Sequence, residues 1–162
     1  MSKKYEPLDI SGDVGLKAYG GAIDEVFINA AVGMYSLITN INLVEEKKSI
    51  DLVIENSSIE NLLVSWLNEL IFHFDTYGFI GKRISITEIT PHPDLPPRGG
   101  RLGGETNQPA SMQVCTLKAT ISGEDFDVER HERKLLIKAA TYHKLRIEKI
   151  GDIYEAEIIF DI

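Results

Sequence analysis

Two aspartates, Asp9 and Asp13, stand in the stretch "LDISGDVGLKAYG" with no basic neighbour before Lys17. A second acidic pair closes the sequence, where "YEAEIIFDI" sets Asp161 beside the terminal carboxylate of Ile162. Hard oxygen groups of this kind suit Ca²⁺ or Mg²⁺ if a third acid comes near, and otherwise fray into water. Lys138 is the one charge between Leu135 and Tyr142 in "KLLIKAATYH". It reads either as an edge-strand lysine that blocks aggregation or as a cation poised beside an acidic cluster or an anionic ligand. Thr141 and His143 follow at a hairpin tip, as part of a contact surface or as stabilisers of the turn.

Other chemistries find little support. The sequence has no Gly-x-Ser-x-Gly elbow, and Cys115 falls within a strand-like run with no evident His or Asp partner. The histidines, His73, His92, His131 and His143, lack the spacing of a shared zinc site. His73 with Glu69 has the i, i+4 spacing of a solvated helix face. The glycine pairs Gly99-Gly100 and Gly103-Gly104 lack the Gly-Lys-Ser/Thr ending of a phosphate loop.

Two amphipathic helices and a set of strands must position these groups. Ile23, Val26, Phe27, Ala30, Ala31, Met34, Tyr35 and Ile38 recur at the spacing of one buried helical face, with Asp24 and Glu25 in the first turn. Ile59, Leu62, Leu63, Trp66, Leu67, Leu70, Ile71 and Phe74 repeat the pattern, and Ser57 with Glu60 predicts a capping box at its start. Strands are predicted at 14–19, 43–54, 79–89, 112–121, 135–142, 145–150 and 154–162, the last three as an antiparallel meander. In the last strand Glu155, Glu157, Ile159 and Asp161 share one face and Ala156, Ile158, Phe160 and Ile162 the other. This order predicts an α+β fold, with two helices packed on a mixed, mostly antiparallel sheet. Residues 90–111 hold five of the six prolines and four of the thirteen glycines, which predicts a surface loop with Arg98 and Arg101 as candidate contacts.

The 162 residues suit a single domain, 1–162, large enough to fold without disulfides, and one cysteine fits a reducing cytosol. No run approaches the ~20 apolar residues of a membrane span. "MSKKYEPL" does not lead into an apolar core, so a soluble cytoplasmic protein is expected. Residues 1–80 carry five Lys and Arg against twelve Asp and Glu, within a net charge of -8. That acidity argues against direct contact with nucleic acid and suits a metal or a basic protein partner.

Together these motifs resemble the archease family. The resemblance is carried by Tyr5-Glu6, Asp9 and "DVGLKAYG" from Asp13 onward, then by "GMYSLI", "LLVSWLNELIFHFD", "GEDFDVERHERK", "KAATYHKL" and "IIFDI", in that order. It implies a small α+β protein that activates an RtcB-type RNA ligase and is not itself an enzyme. Such a partner promotes guanylylation of a ligase histidine and multiple turnover in tRNA splicing and RNA repair. The resemblance places a divalent metal, Ca²⁺ or Mg²⁺, on Asp13, Asp161 and Ile162, and activation of the partner on Lys138, with His143 beside it. Asp9 becomes an acid that either supports the ligands from behind or shapes the turn at Ser11 and Gly12. The sequence departs from the commoner Asp-His-Thr-Ala-Asp form of the opening motif, having Ile10, Ser11 and Gly12 between the two acids. The alternative is a chaperone or modulator of an RNA-modifying enzyme such as a tRNA methyltransferase. A metal-dependent hydrolase lacks an evident general base.

Overall fold

The computed structural model describes residues 3–90 and 114–162. The first helix, α1, runs from Ile23 to Ile38, and every apolar position expected on its inner face is buried. It lies between two sheets and touches both. On one side a Cβ added at Gly33 would meet the Leu16 methyls at 2.9 and 3.0 Å. On the other, the Tyr35 ring stands 2.8 Å from a Cβ added at Gly81. Contacts this close keep both glycine positions free of side chains.

The second helix, α2, spans Ile59–Tyr77. Its N-cap is Ser58, whose Oγ accepts the Asn61 N–H at 3.0 Å, so the expected cap at Ser57 is off by one. Ser57 instead accepts from the Asn61 side chain, at 3.2 Å. Gly78 ends the helix at φ 74°, with its N–H returned to the Phe74 carbonyl. Trp66, fully buried, donates its Nε1–H to the Phe27 carbonyl of α1 at 3.0 Å, tying the two helices together.

The strands form two antiparallel sheets. In chain order they are β1 (Tyr5–Ile10), β2 (Asp13–Gly20), β3 (Lys48–Asn56), β4 (Phe79–Thr90), β5 (Cys115–Asp125), β6 (Ala139–Ala140), β7 (Arg146–Ile150) and β8 (Ile153–Asp161). One sheet has the order β3-β5-β4. The other runs β1-β2-β8, and β8's far side is shared by β7 along Ile153 to Glu157 and by β6 at Phe160 and Asp161. The α+β class stands, with two helices on wholly antiparallel pairings among the described residues.

One strand was not expected, and two expected strands change. Residues 5–10 form an unforeseen edge strand, joined to β2 by a Ser11 and Gly12 turn in which Gly12 takes φ 82°. The strand expected over 43–54 begins only at Lys48, because Ile41–Leu43 is a 3₁₀ turn whose start is capped by the Asn40 side chain on the Asn42 N–H. The strand expected over 135–142 shrinks to two residues. Its first part is held elsewhere: the Lys134 and Leu135 N–H groups donate to Ile38 and Leu37 at the end of α1. Ile137 and Ala140 are the buried positions there, three apart rather than alternating. Of the strand expected over 112–121, residues 112 and 113 lie outside the described residues, as does the proline-rich segment beyond Thr90. No helix among the described residues is long and apolar enough to cross a membrane.

Candidate functional site

β2 opens with Asp13 and β8 closes with Asp161. Their pairing is antiparallel, with Val14 opposite Phe160 and Leu16 opposite Ile158. One further step of this register sets Asp13 level with Asp161. Directly opposed residues share a face, with Cα atoms about 4.5–5.5 Å apart. Leu16, Ala18, Ala156, Ile158 and Phe160 fill the core face, so the two aspartates stand on the outer one. Opposed like charges on neighbouring strands repel. Among the described residues no cation pairs with either. Asp9 pairs with Val14 and therefore lies on the other face.

β6 brings Lys138 to the same end of the sheet. The Lys138 N–H donates to the Asp161 carbonyl at 2.8 Å, and Ala139 pairs with Asp161. The Lys138 side chain is exposed, and so is Ile162, at 40%. His143 sits in the following turn, where its N–H reaches Thr141 Oγ1 at 3.3 Å and Lys144 takes φ 54°. Thr141 anchors that turn, since its N–H and its hydroxyl both donate to the Ile159 carbonyl, at 3.0 and 2.8 Å. Asp13, Asp161, Ile162 and Lys138 thus meet at one strand end, with His143 on the adjoining turn.

The donors gathered here are oxygen groups alone, which suits a hard cation and not zinc. Among the described residues no group of three Asp, Glu, His or Cys side chains is placed to hold a metal. Two carboxylates fit such an ion only if main-chain oxygens at Ile162, water or a partner complete the set.

A second polar cluster escaped the sequence reading. Glu124, at the end of β5, is only 3% exposed. Its Oε2 accepts the Glu45 N–H at 2.7 Å and meets His131 Nε2 at 3.1 Å, while its Oε1 pairs with Arg130 and, at 3.5 Å, with Lys47. Burial pushes its carboxyl up, yet the Arg130 guanidinium, the Glu45 N–H and His131 together outweigh burial and hold it down at about 2. Buried His131 accepts the Asp127 N–H on Nδ1 at 2.8 Å, so its proton resides on Nε2 and points at Glu124. Arg130 also donates to the Leu43 carbonyl at 3.1 Å. The cluster fastens the loop after β5 to the segment before β3. Arg130 and His131 lie only six and seven residues from Glu124, but "GEDFDVERHERK" carries no periodic signal that would pair them, and the Glu45 N–H comes from 79 residues away.

The outer face of the β1-β2-β8 sheet carries a charge ladder away from the aspartates. Arg146 reaches Glu155 at 2.6 Å and Glu157 at 3.5 Å, with Lys17 alongside at 3.9 and 4.0 Å. Tyr19 donates to Glu6 at 2.5 Å, and burial followed by that bond pushes its hydroxyl up to about 12. The expected His73 and Glu69 pair forms at 3.5 Å on α2.

A helix layer between two antiparallel sheets, with an acidic strand end on one of them, defines a recognisable class of small α+β proteins. The sequence matches the model of the Archease protein family (MTH1598/TM1083) over residues 5–162. It is 31% identical to the protein archease of Methanosarcina acetivorans over 162 residues, covering 100% of this chain and 98% of that one. To the protein archease of Sulfurisphaera tokodaii it is 29% identical over 160 residues, covering 99% of each chain. Among solved structures, Methanobacterium thermoautotrophicum protein 1598 superposes with a TM-score of 0.72 at 28% identity, over 98% of this chain and 99% of that one. An archease from Thermotoga maritima, described as a possible chaperone, shares the fold with a TM-score of 0.60 at 18% identity, over 97% of this chain and 96% of that one. The chain belongs to the archease family.

Proposed function

We propose that this chain is a non-catalytic, cytoplasmic activator of an RtcB-type RNA ligase, promoting ligase guanylylation and multiple turnover in tRNA splicing and RNA repair. The observation that carries the reading is the β2 and β8 register, whose end pair, Val14 with Phe160, leaves Asp13 and Asp161 as the next residues of the two strands, with no cation paired to either among the described residues. Like charges opposed across a strand pair repel, and a cation or a basic partner group would relieve that repulsion. Asp13 and Asp161, with main-chain oxygens at Ile162, would hold a divalent cation, Ca²⁺ or Mg²⁺, and such an ion would supply positive charge for phosphate oxygens. Lys138 adds a positive group at the same strand end, placed by its N–H on the Asp161 carbonyl. His143 lies on the turn beside it and contributes to the contact with the ligase. The acidic front half of the sequence favours contact with the ligase protein, with RNA reached only through it.

The test is guanylylation of a purified RtcB-type ligase by GTP, with this chain at substoichiometric amounts. Asp13→Asn, Asp161→Asn and Lys138→Ala are expected to abolish the stimulation. Calorimetry with Ca²⁺ and Mg²⁺ is expected to show a cation affinity weakened by about tenfold or more in either aspartate variant, since even outer-shell partners of a metal are worth about that much. Absence of stimulation by the unaltered chain would refute the activator reading. If the chain then suppressed aggregation of an RNA-modifying enzyme such as a tRNA methyltransferase, the description given to the Thermotoga protein would extend to this one.

A further inference from the structure

Asn68 lies on α2 between buried Leu67 and Leu70, at a helical position where asparagine is a poor choice by propensity. Its amide nevertheless meets β6 on the edge that β8 does not use. Asn68 Oδ1 accepts the Ala140 N–H at 2.8 Å, and Asn68 Nδ2 donates to the Ala140 carbonyl at 3.1 Å. A primary amide has one acceptor and one donor side, so it copies the peptide group of an adjoining strand. Two residues are far too few to hold a strand by sheet pairing alone. β6 keeps its place because it is gripped from both edges, by β8 on one side and by Asn68 on the other.

We infer that Asn68 is a positioning residue for the strand-end site: by clamping Ala140 it holds the Lys138 N–H on the Asp161 carbonyl. Its functional consequence rests on the proposed activator role. Asn68 lies 72 residues from Ala140 in sequence, and no motif links them. Loss of the clamp frees the 138–140 segment, so that Lys138 and Asp161 no longer share a fixed geometry, while the helix and its core contacts through Leu67 and Leu70 remain.

The test compares Asn68→Leu and Asn68→Asp with the unaltered full chain. The main readout is hydrogen-exchange protection of the Lys138 amide, corrected for intrinsic exchange at each pH, because Asn68 does not touch that group. Asn68→Leu, similar in size but unable to hydrogen-bond, is expected to lower Lys138 protection by about tenfold, the value of roughly one lost hydrogen bond's worth of ordering. Trp66 fluorescence is expected to stay native. The carboxyl introduced by Asn68→Asp restores both bonds when protonated and repels the Ala140 carbonyl when ionised. Lys138 protection in that variant is therefore expected to approach the native value near pH 4 and to fall by about tenfold near pH 7. A merely packing role for Asn68 would not produce this pH dependence.

The functional arm is ligase guanylylation, where Asn68→Leu is expected to behave like Lys138→Ala. Unchanged Lys138 protection in both variants overturns the inference. So does lowered protection with full stimulation, in a series where Asp13→Asn abolishes it. If the unaltered chain stimulates no ligase while Lys138 protection follows the two variants as described, the positioning of Lys138 by Asn68 is upheld and the activator reading alone fails.

Discussion

Replacing Glu124 by Gln probes the buried polar cluster directly. The change keeps the side chain's shape and removes the charge that Arg130, the Glu45 N–H and His131 converge on. The folded carboxyl sits at about 2 against an ordinary 4.5. A depressed carboxyl stabilises the fold above its unfolded value and loses that contribution as the pH falls through its folded one. The window here runs from about pH 4.5 down to about pH 2. The gap corresponds to about 3 kcal/mol. Arg130 is 36% exposed, however, and part of its attraction is screened. We therefore expect Glu124→Gln to destabilise the protein by about 2 kcal/mol at pH 7, or about 4–8 °C in Tm for a chain of this size. Urea denaturation of both proteins at several pH values is the assay. The difference between them is expected to shrink to less than half by about pH 3, as the native carboxyl takes up its proton. A difference that stays constant from pH 7 to pH 3, or a variant as stable as the native protein at pH 7, would refute the reasoning.

Three further substitutions test how the elements are held. Ser58→Ala is expected to cost about 1 kcal/mol by removing the N-cap bond of α2, and Ser57→Ala clearly less; equal losses in thermal melts would contradict the cap assignment. Gly123→Ala would place a Cβ 2.0 Å from the Ile80 carbonyl and 2.8 Å from the Gly81 Cα. Both are backbone atoms, so a loss of about 3 kcal/mol is expected in the same melts, and an unchanged Tm would show that β4 and β5 separate freely there.

Both helices were legible because each buries one long face, and the 3.6-residue recurrence of Val26, Phe27, Ala30 and Met34 admits no other element. β1 was not, because Glu6, Pro7 and Asp9 give an edge strand the composition of a loop. β6 misled for the opposite reason. The apolar run from Leu135 to Ala140 looks like a strand, but its hydrogen bonds go first to α1 and only then to β8. The alternation of β8 was readable, and it put Asp161 on the correct face. That Asp13 stands opposite Asp161 depends on the register of two strands from opposite ends of the chain. Periodicity carries no such information; the family resemblance supplied the pair. Glu124 and Asn68 lay beyond reach because each takes its meaning from partners that folding alone brings near.

The position of β8 also governs the order in which this protein can fold. β8 is an interior strand, flanked by β2 on one side and by β6 and β7 on the other, yet among the described strands it comes last in the chain. The β1 and β2 hairpin is made first and must wait, with the Leu16 and Ala18 edge unpaired, until residues 153–161 arrive to cover it. Pairings of such long sequence separation carry a large loop-closure cost and slow folding in general. A chain released before residue 153 exposes β2 as an open template for pairing with other chains. Since Asp13 and Asp161 come together only across that pairing, the acidic strand end forms only in molecules in which β8 has docked between β2 and its other neighbours.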